Sequence, residues 1–325
     1  MGVCGENSSM TVLVTGGSGL VGRAVQECIA SAPPTDETWV FTHSNEADLT
    51  DLEATRALFA RHKPTHVLHL AAMVGGLYRN LAQPVDFFMA NARMNENVLQ
   101  VAHEYDVVKV VSCLSTCIFP DATPYPIDET MLHNGPPHAS NLGYAMAKRN
   151  IDTLNQCYAR QFGRCFTSVI PTNVYGPHDN FHLDDSHVIP GLLHKCYLAK
   201  KEQTPFVVSG TGAPLRQFIY SADLATLLVW VVRHYTETSP LILAGDPNDE
   251  VSIQRVAEGI AAALQFTGDL VFDTTKGDGQ YRKTASNAKL RSLSPELGAY
   301  RFTTLEAGLQ TTAAWFLDNL TTCRR

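Results

Sequence analysis

The stretch Thr11-Val12-Leu13-Val14-Thr15, followed by Gly16-Gly17-Ser18-Gly19-Leu20-Val21-Gly22, decides the fold. Its first five residues read as a short buried strand, and Leu20 to Ala30 carry helical character. Between them, glycines at 16, 19 and 22 make a turn from strand into helix. A pyrophosphate can approach a backbone only where no Cβ intervenes. The helix start then offers free N–H groups and partial positive charge. A tight turn alone would also use glycine, but strand, turn and helix in this order read as a nucleotide site, with Gly16 to Gly22 as its cradle.

Reading outward, Val40–Thr42 suggest a second strand and Leu52–Ala60 a helix, ended by Pro64. Val67–Ala72 suggest a third strand, 86–105 a long helix and Lys109–Leu114 a fourth strand. Tyr144–Phe162 read as another helix and Phe166–Ile170 as the next strand. Strand and helix alternate, which predicts an α/β fold: a Rossmann-type doubly wound parallel sheet with right-handed crossovers. After Pro177 the pattern turns irregular and rich in Pro, Gly and Asp. A smaller C-terminal substrate-binding lobe is expected there. The expected division is 10–177 for the cofactor unit, with a return segment at about 217–240. The lobe would take 178–216 and 241–325.

Composition excludes several classes. With 45% hydrophobic residues, most of the 325-residue chain can bury a core rather than stay disordered. A net charge of −7 argues against a nucleic-acid footprint. The longest apolar run, Leu224–Val232, is far too short for a membrane span. The cysteines include no C-x-x-C pair, so a zinc ribbon or redox dithiol is not expected. The opening MGVCGENSSM lacks the basic flank and apolar core of a secretory signal, and Glu6 stands where myristoylation wants Ser or Thr. The closing TCRR is not a prenylation box. These features predict a cytoplasmic protein with free thiols.

Thr42-His43-Ser44-Asn45 follow the second strand, and no acid precedes Glu46 to grip a ribose 2′-hydroxyl. That leaves room for a 2′-phosphate and favours NADP(H). Asp48-Leu49 fit an adenine-edge contact or a solvated turn. Tyr144 and Lys148 stand four apart on one helix face, and Ser115 follows the fourth strand. An ammonium beside a phenol favours phenolate, so such a Tyr can exchange a proton with a carbonyl oxygen while a nicotinamide exchanges hydride. Ser115 would hydrogen-bond the same oxygen.

The glycine spacing G-x-x-G-x-x-G is that of short-chain dehydrogenases. Further strings sharpen the likeness: HLAAMVGG, SCLSTCIFP, YAMAK, PTNVYGPHDNF, SHVIPGLLHK, Arg216 to Phe218 and TTKGDGQ. Together they span 11 to about 290, and on them the chain resembles the GDP-L-fucose synthases, bifunctional epimerase–reductases among the extended short-chain dehydrogenases. The resemblance implies conversion of GDP-4-keto-6-deoxy-D-mannose to GDP-L-fucose with NADPH, in a homodimer joined through helices 86–105 and 145–162. It implies Cys117 as the base at sugar C3 and C5 and His187 as the acid from the other face. Tyr144, Lys148 and Ser115 would reduce C4. Pro171, Thr172, Asn173, Val174 and His187 would join Tyr144 and Lys148 around the nicotinamide end. Lys195, Ser209, Arg216 and Asp278 would meet the GDP-sugar.

The residue chemistry agrees. Protons alpha to a ketone yield to a thiolate or imidazole, and inversion needs one group on each ring face. Lys195 and Arg216 can pair with a diphosphate. In extended chain, Cys117 would share a side with Ser115, and neighbouring cations would lower its pKa. Ser209 stands where the family has Trp, so an aromatic contact to the nucleotide end is missing or supplied elsewhere. His178, His182, Asp184, Asp185 and His187 could suggest a metal cluster, but turn and capping roles are commoner and the reaction needs none. Two other readings remain: a related nucleotide-sugar epimerase or dehydratase, and a non-catalytic NADP sensor. A dehydratase would want a carboxylate just after Ser115, where Thr116-Cys117 stand. A sensor would be expected to lose Tyr144 or Lys148.

Overall fold

A computed structural model describes residues 9–278 and 281–325. The opening residues 1–8, which hold most of the segment weighed above for lipidation, lie outside the described residues, as do Gly279 and Gln280 of the TTKGDGQ string. In chain order, β1 (Thr11–Thr15), α1 (Leu20–Ser31), β2 (Thr38–Phe41), α2 (Leu52–His62) and β3 (His66–His69) open the fold. Then come α3 (Leu77–Ala82), α4 (Pro84–Glu104), β4 (Lys109–Cys113), α5 (Leu142–Phe162), β5 (Cys165–Pro171) and β6 (Asn173–Tyr175). Next are α6 (Val188–Glu202), β7 (Phe206–Ser209), β8 (Leu215–Arg216), β9 (Phe218–Tyr220), α7 (Ser221–His234) and β10 (Leu241–Leu243). The chain closes with β11 (Val251–Ser252), α8 (Ile253–Ala263), β12 (Leu270–Asp273), α9 (Ala288–Ser292), α10 (Pro295–Gly298) and α11 (Leu305–Asp318).

Six strands pair in parallel in the order β10-β5-β4-β3-β1-β2. The order reverses between β1 and β3, which opens a crevice at their carboxyl ends. Apolar side chains cover both faces. On one, Leu58, Phe59, Val98, Leu99 and Ile151 of α2, α4 and α5 are buried. On the other, Val25 of α1 and Leu224 and Leu228 of α7 are buried. A third cluster, including Leu193, Phe206, Ile260 and Phe316, lies among α6, β7, α8 and α11.

Several boundaries move. β3 stops at His69 rather than Ala72, because the Ala71 N–H turns to Thr15 Oγ1 (3.2 Å) instead of continuing the ladder. β2 ends at Phe41 rather than Thr42, and α3 was not expected at all. β10 belongs to the main sheet, paired with β5, so the return segment runs past 240. Leu290 of α9 and Leu297 of α10 join the core beneath α7. Part of the stretch assigned to the smaller lobe therefore completes the larger unit.

One polar device crosses the apolar interior. His69 Nδ1 meets Thr15 Oγ1 at 2.8 Å, and its Nε2 meets Asn95 Oδ1 at 3.1 Å. Asn95 in turn donates to the Ala147 carbonyl at 3.2 Å. Burial pushes the His69 pKa down to about 3, so the ring is neutral at physiological pH. The chain β1–β3–α4–α5 is thereby pinned directly behind Lys148.

Candidate active site

The glycine turn needs its glycines for stated reasons. Gly16 has φ +72°, and a Cβ there would sit 2.8 Å from the Ala71 nitrogen. A Cβ on Gly22 would lie 2.5 Å from the Gly16 carbonyl oxygen. The turn closes with the Gly19 N–H donating to the Gly16 carbonyl (3.1 Å) and the Gly17 N–H to the Thr42 carbonyl (2.8 Å). Ser18 is exposed at its crest, and Leu20 and Val21 begin α1. Gly19 caps α1 with no side-chain acceptor, so the first N–H groups of this helix face the crevice unsatisfied by a side chain. This cradle fits a dinucleotide pyrophosphate.

The Thr42 hydroxyl donates to the Val14 carbonyl (3.2 Å), and the Glu46 carboxylate accepts from the His43 N–H (3.0 Å). Asp48 accepts from both the backbone and hydroxyl of Thr50 (2.9 and 2.7 Å), which makes it a turn residue. Of the stretch 171–174, Pro171 ends β5, and Asn173 and Val174 lie in β6 against β9. Thr172 is buried, and its hydroxyl has no partner among the described residues. A buried unmatched hydroxyl is an unfilled hydrogen-bonding position.

Tyr144 and Lys148 share the buried face of α5. Lys148 Nζ donates to the Cys113 carbonyl at 2.8 Å and lies 6.0 Å from the Tyr144 ring centroid. Phe87 meets the Tyr144 ring edge-on at 6.4 Å. Cys113 and Cys117 each act electrostatically on both Tyr144 and Lys148, so these four form one cluster. Two expectations about it are corrected. Ser115 and Cys117 do not sit on an extended strand. Ser115 caps a single 3₁₀ turn, Thr116–Ile118, and its Oγ accepts from the Cys117 N–H at 3.4 Å. The turn, not strand alternation, sets their proximity. The pKa signs also reverse. Burial pushes Tyr144 well up, with the Cys117 and Cys113 thiols acting the same way; it also pushes Cys117 up and lowers Lys148, because burying their charges costs more than their attraction returns.

His187 is the cap residue of α6. Burial lowers its pKa, while the Asp185 carboxylate works in the opposite direction. Asp185 accepts from the Gly76 N–H (3.2 Å) and pairs with Arg79 (2.9 Å). His178 pairs with Glu27 at 3.0 Å, and His182 accepts from the Asp184 N–H at 3.2 Å. These groups thus have turn and ion-pair partners. Among the described residues no set of three or more His, Cys, Asp or Glu is arranged to hold a metal ion.

Lys195 lies two turns into α6, half-buried and without a partner among the described residues. Arg216 Nη1 donates to the Leu215 carbonyl (2.7 Å), while its Nε and Nη2 make no hydrogen bond among the described residues. Ser209 ends β7, exposed. Asp278 is not free, since its two oxygens accept from the Thr211 backbone (2.9 Å) and hydroxyl (2.7 Å). A carboxylate oxygen has further lone pairs, so this fixes Asp278 without exhausting it.

Sequence reading missed Lys283. Its charge acts on Cys117, Arg216 and Asp121. No motif spacing links it to Cys117, and only the folded chain brings the two together. The signal available was its nearness to Asp278 in the sequence.

The family model described as the NAD dependent epimerase/dehydratase family matches residues 12–243. A GDP-L-fucose synthase of Dictyostelium discoideum is 56% identical over 98% of this chain and 98% of its own length. A probable GDP-L-fucose synthase of Drosophila melanogaster is 55% identical over 97% of this chain and 99% of its own. Among solved structures, a GDP-L-fucose synthetase from Naegleria fowleri bound to NADP superposes with a TM-score of 0.92 at 47% identity, covering 98% of this chain and 96% of that one.

Proposed function

The chain belongs to the NAD dependent epimerase/dehydratase family, and from that premise we propose that it converts GDP-4-keto-6-deoxy-D-mannose to GDP-L-fucose with NADPH. It inverts C3 and C5 and then reduces the C4 ketone. The observation that carries this reading is the single cluster of Cys117 with Tyr144 and Lys148. A carbonyl-reducing pair alone would serve many reactions. A thiol in electrostatic contact with it adds the proton chemistry that epimerisation needs. The relatives' names support the same substrate.

Gly16 to Gly22 would hold NADPH, whose nicotinamide would supply the hydride. The chain's own residues do the rest. Cys117 removes the proton alpha to the ketone, leaving an enolate whose charge rests on the C4 oxygen. His187 returns a proton from the opposite face; Cys117 then gives its proton to solvent, His187 takes one back, and the cycle repeats at the second carbon. Tyr144 then gives its hydroxyl proton to the C4 oxygen, with Ser115 hydrogen-bonded to the same atom. Arg216 and Lys195 hold the diphosphate, and Asp278 the nucleoside. An HPLC assay with the keto sugar tests the whole reading. NADPH should support formation of GDP-L-fucose with higher kcat/KM than NADH, since no carboxylate at Thr42–Asn45 grips a ribose hydroxyl. Equal or better turnover with NADH would overturn the cofactor assignment.

Arg216→Ala should raise the KM for the sugar nucleotide by about tenfold or more, as a charge-assisted fork to phosphate is lost. The NADPH KM should stay near the parent value. Steady-state kinetics varied in each ligand checks this, and a weakened NADPH instead would place Arg216 on the other ligand.

The assembly proposed is a homodimer through α4 and α5. Exposed Val85 and Met89 on α4, and Leu142 and Phe162 on α5, support it. The cellular setting proposed is the cytoplasm, supported by free thiols at all seven described cysteines. Among the described residues no helix is long and apolar enough to cross a membrane.

A further inference from the structure

The His187 ring makes no hydrogen bond among the described residues, so the backbone on either side sets where it stands. On the far side that is α6, whose Gly191 N–H donates to the His187 carbonyl (3.1 Å). On the near side it is the turn 178–186, which is gripped at both ends. At one end, Asp185 accepts from the Gly76 N–H (3.2 Å) and pairs with Arg79 (2.9 Å) at the start of α3. Small residues permit the approach: a Cβ on Gly75 would stand 3.0 Å from Asp185 Oδ1, and one on Gly76 3.3 Å from the Ser186 carbonyl oxygen. At the other end, Phe181 is fully buried, with its ring stacked 4.6 Å from Phe316 of α11. Its carbonyl accepts from His194 Nδ1 of α6 at 2.8 Å.

Residues 322–324 add a third grip. After α11, the Thr322 and Cys323 N–H groups both donate to the Asn319 carbonyl (3.0 and 2.8 Å), which turns the backbone. Arg324 then runs beside Asn180 in a parallel bridge. The Phe181 N–H donates to the Arg324 carbonyl (2.7 Å), and Arg324 Nη2 donates to the His178 carbonyl (2.9 Å). Asn180 passes this grip forward. Its Oδ1 accepts from the His182 N–H (3.2 Å), and its Nδ2 donates to the Asp185 carbonyl (3.2 Å), two residues before His187. The Arg324 charge also acts on the buried Asp179 carboxyl, whose pKa burial pushes up to about 7.

We propose that Arg324 is a positioning residue of the epimerisation: by clamping His178 and Phe181 it holds the turn that delivers His187 to the sugar. This rests on His187 being the acid of the proposed reaction. A ring with no hydrogen bond of its own inherits its place from the backbone, so slack at Phe181 and Asn180 reaches His187 through Asp185. The reduction should not feel that slack. Tyr144 and Lys148 stand on α5 and take no part in these bonds.

The test sets two steps of the enzyme against each other in the full-length protein, in a chain ending at Cys323, and in Arg324→Ala. The last loses the guanidinium but keeps the carbonyl bonded to Phe181. A group misplaced by about 1 Å costs on the order of 10²-fold, so formation of GDP-L-fucose from the keto sugar should fall about 10- to 10²-fold in the shortened chain, and less in Arg324→Ala. Single-turnover oxidation of NADPH by the already epimerised sugar should stay within about twofold of the parent. In a His187→Gln background the shortening should cost less than about twofold more, because both changes act through one group. Arg324→Ala alone serves if the shortened chain does not fold. Equal loss in both steps would make the contact merely structural, and an undiminished rate of product formation in the folded variants would overturn the proposal. A full further loss on top of His187→Gln would place the effect on another group. Product formation at the parent rate in His187→Gln itself would overturn the assignment of the acid, and this proposal with it.

Discussion

Tyr144→Phe should slow reduction of the C4 ketone by about 10²–10⁴-fold, the usual worth of a general acid. The substitution removes one oxygen and little else. Phe87 still meets a ring edge-on, and Lys148 remains anchored on the Cys113 carbonyl. The fold and the cofactor cradle should therefore survive. Burial holds the Tyr144 pKa well above its ordinary value. The hydroxyl is thus protonated throughout the physiological range, which is the state a proton donor to a ketone requires. Between about pH 6 and 9 the reduction should show no loss from ionisation of this group. Single-turnover oxidation of NADPH by the epimerised keto sugar measures the step, with NADPH fluorescence reporting binding separately. A Phe variant within about threefold of the parent would remove Tyr144 from the role.

The second large effect belongs to Cys117. An alcohol is a far weaker acid than a thiol, so Cys117→Ser leaves no anion able to take a carbon-bound proton near neutrality. Deuterium uptake from D₂O into C3 and C5 should fall by about 10²–10⁴-fold, with NADPH binding intact because the glycine turn is untouched. His187→Gln should act differently. Proton removal persists, but return of a proton slows, so exchange and product formation fall unequally. Mass spectrometry of the sugar nucleotide after incubation in D₂O reads both variants. Uptake at the parent rate in Cys117→Ser would make the thiol structural and send the search for the base elsewhere.

The fold was readable where period and punctuation agree. The alternation of buried strand and amphipathic helix from Thr11 to Ile170 names a parallel sheet almost unaided. It loses precision at strand ends, where a side chain such as the Thr15 hydroxyl captures the next backbone N–H. Past Pro177 strands shrink to two to four residues, too short for any period to register. The site was readable in its residue types, since Tyr144 and Lys148 lie on one helix and Ser115 and Cys117 on one turn. What sequence could not carry was the balance of energies. Proximity of charges suggested easily ionised groups. The depth of the cluster decides otherwise, because the cost of burying charge grows with every apolar neighbour. Lys283 escaped for a topological reason, since its segment 281–286 is placed only by pairings with residues more than sixty positions away.

The return of β10 and of α9 and α10 to the main sheet has a consequence for how the chain is made. A ribosome delivers residues 11–171 first, with five of the six strands among them. The sixth strand, and the leucines that close the layer beneath α7, emerge only after 241 and 290. The nascent cofactor half therefore waits with the β5 edge and an apolar strip exposed while the intervening lobe is still being synthesised. An unpaired edge of this kind invites association with other chains. Truncation anywhere before α10 should cost not just the tail but the solubility of everything translated ahead of it.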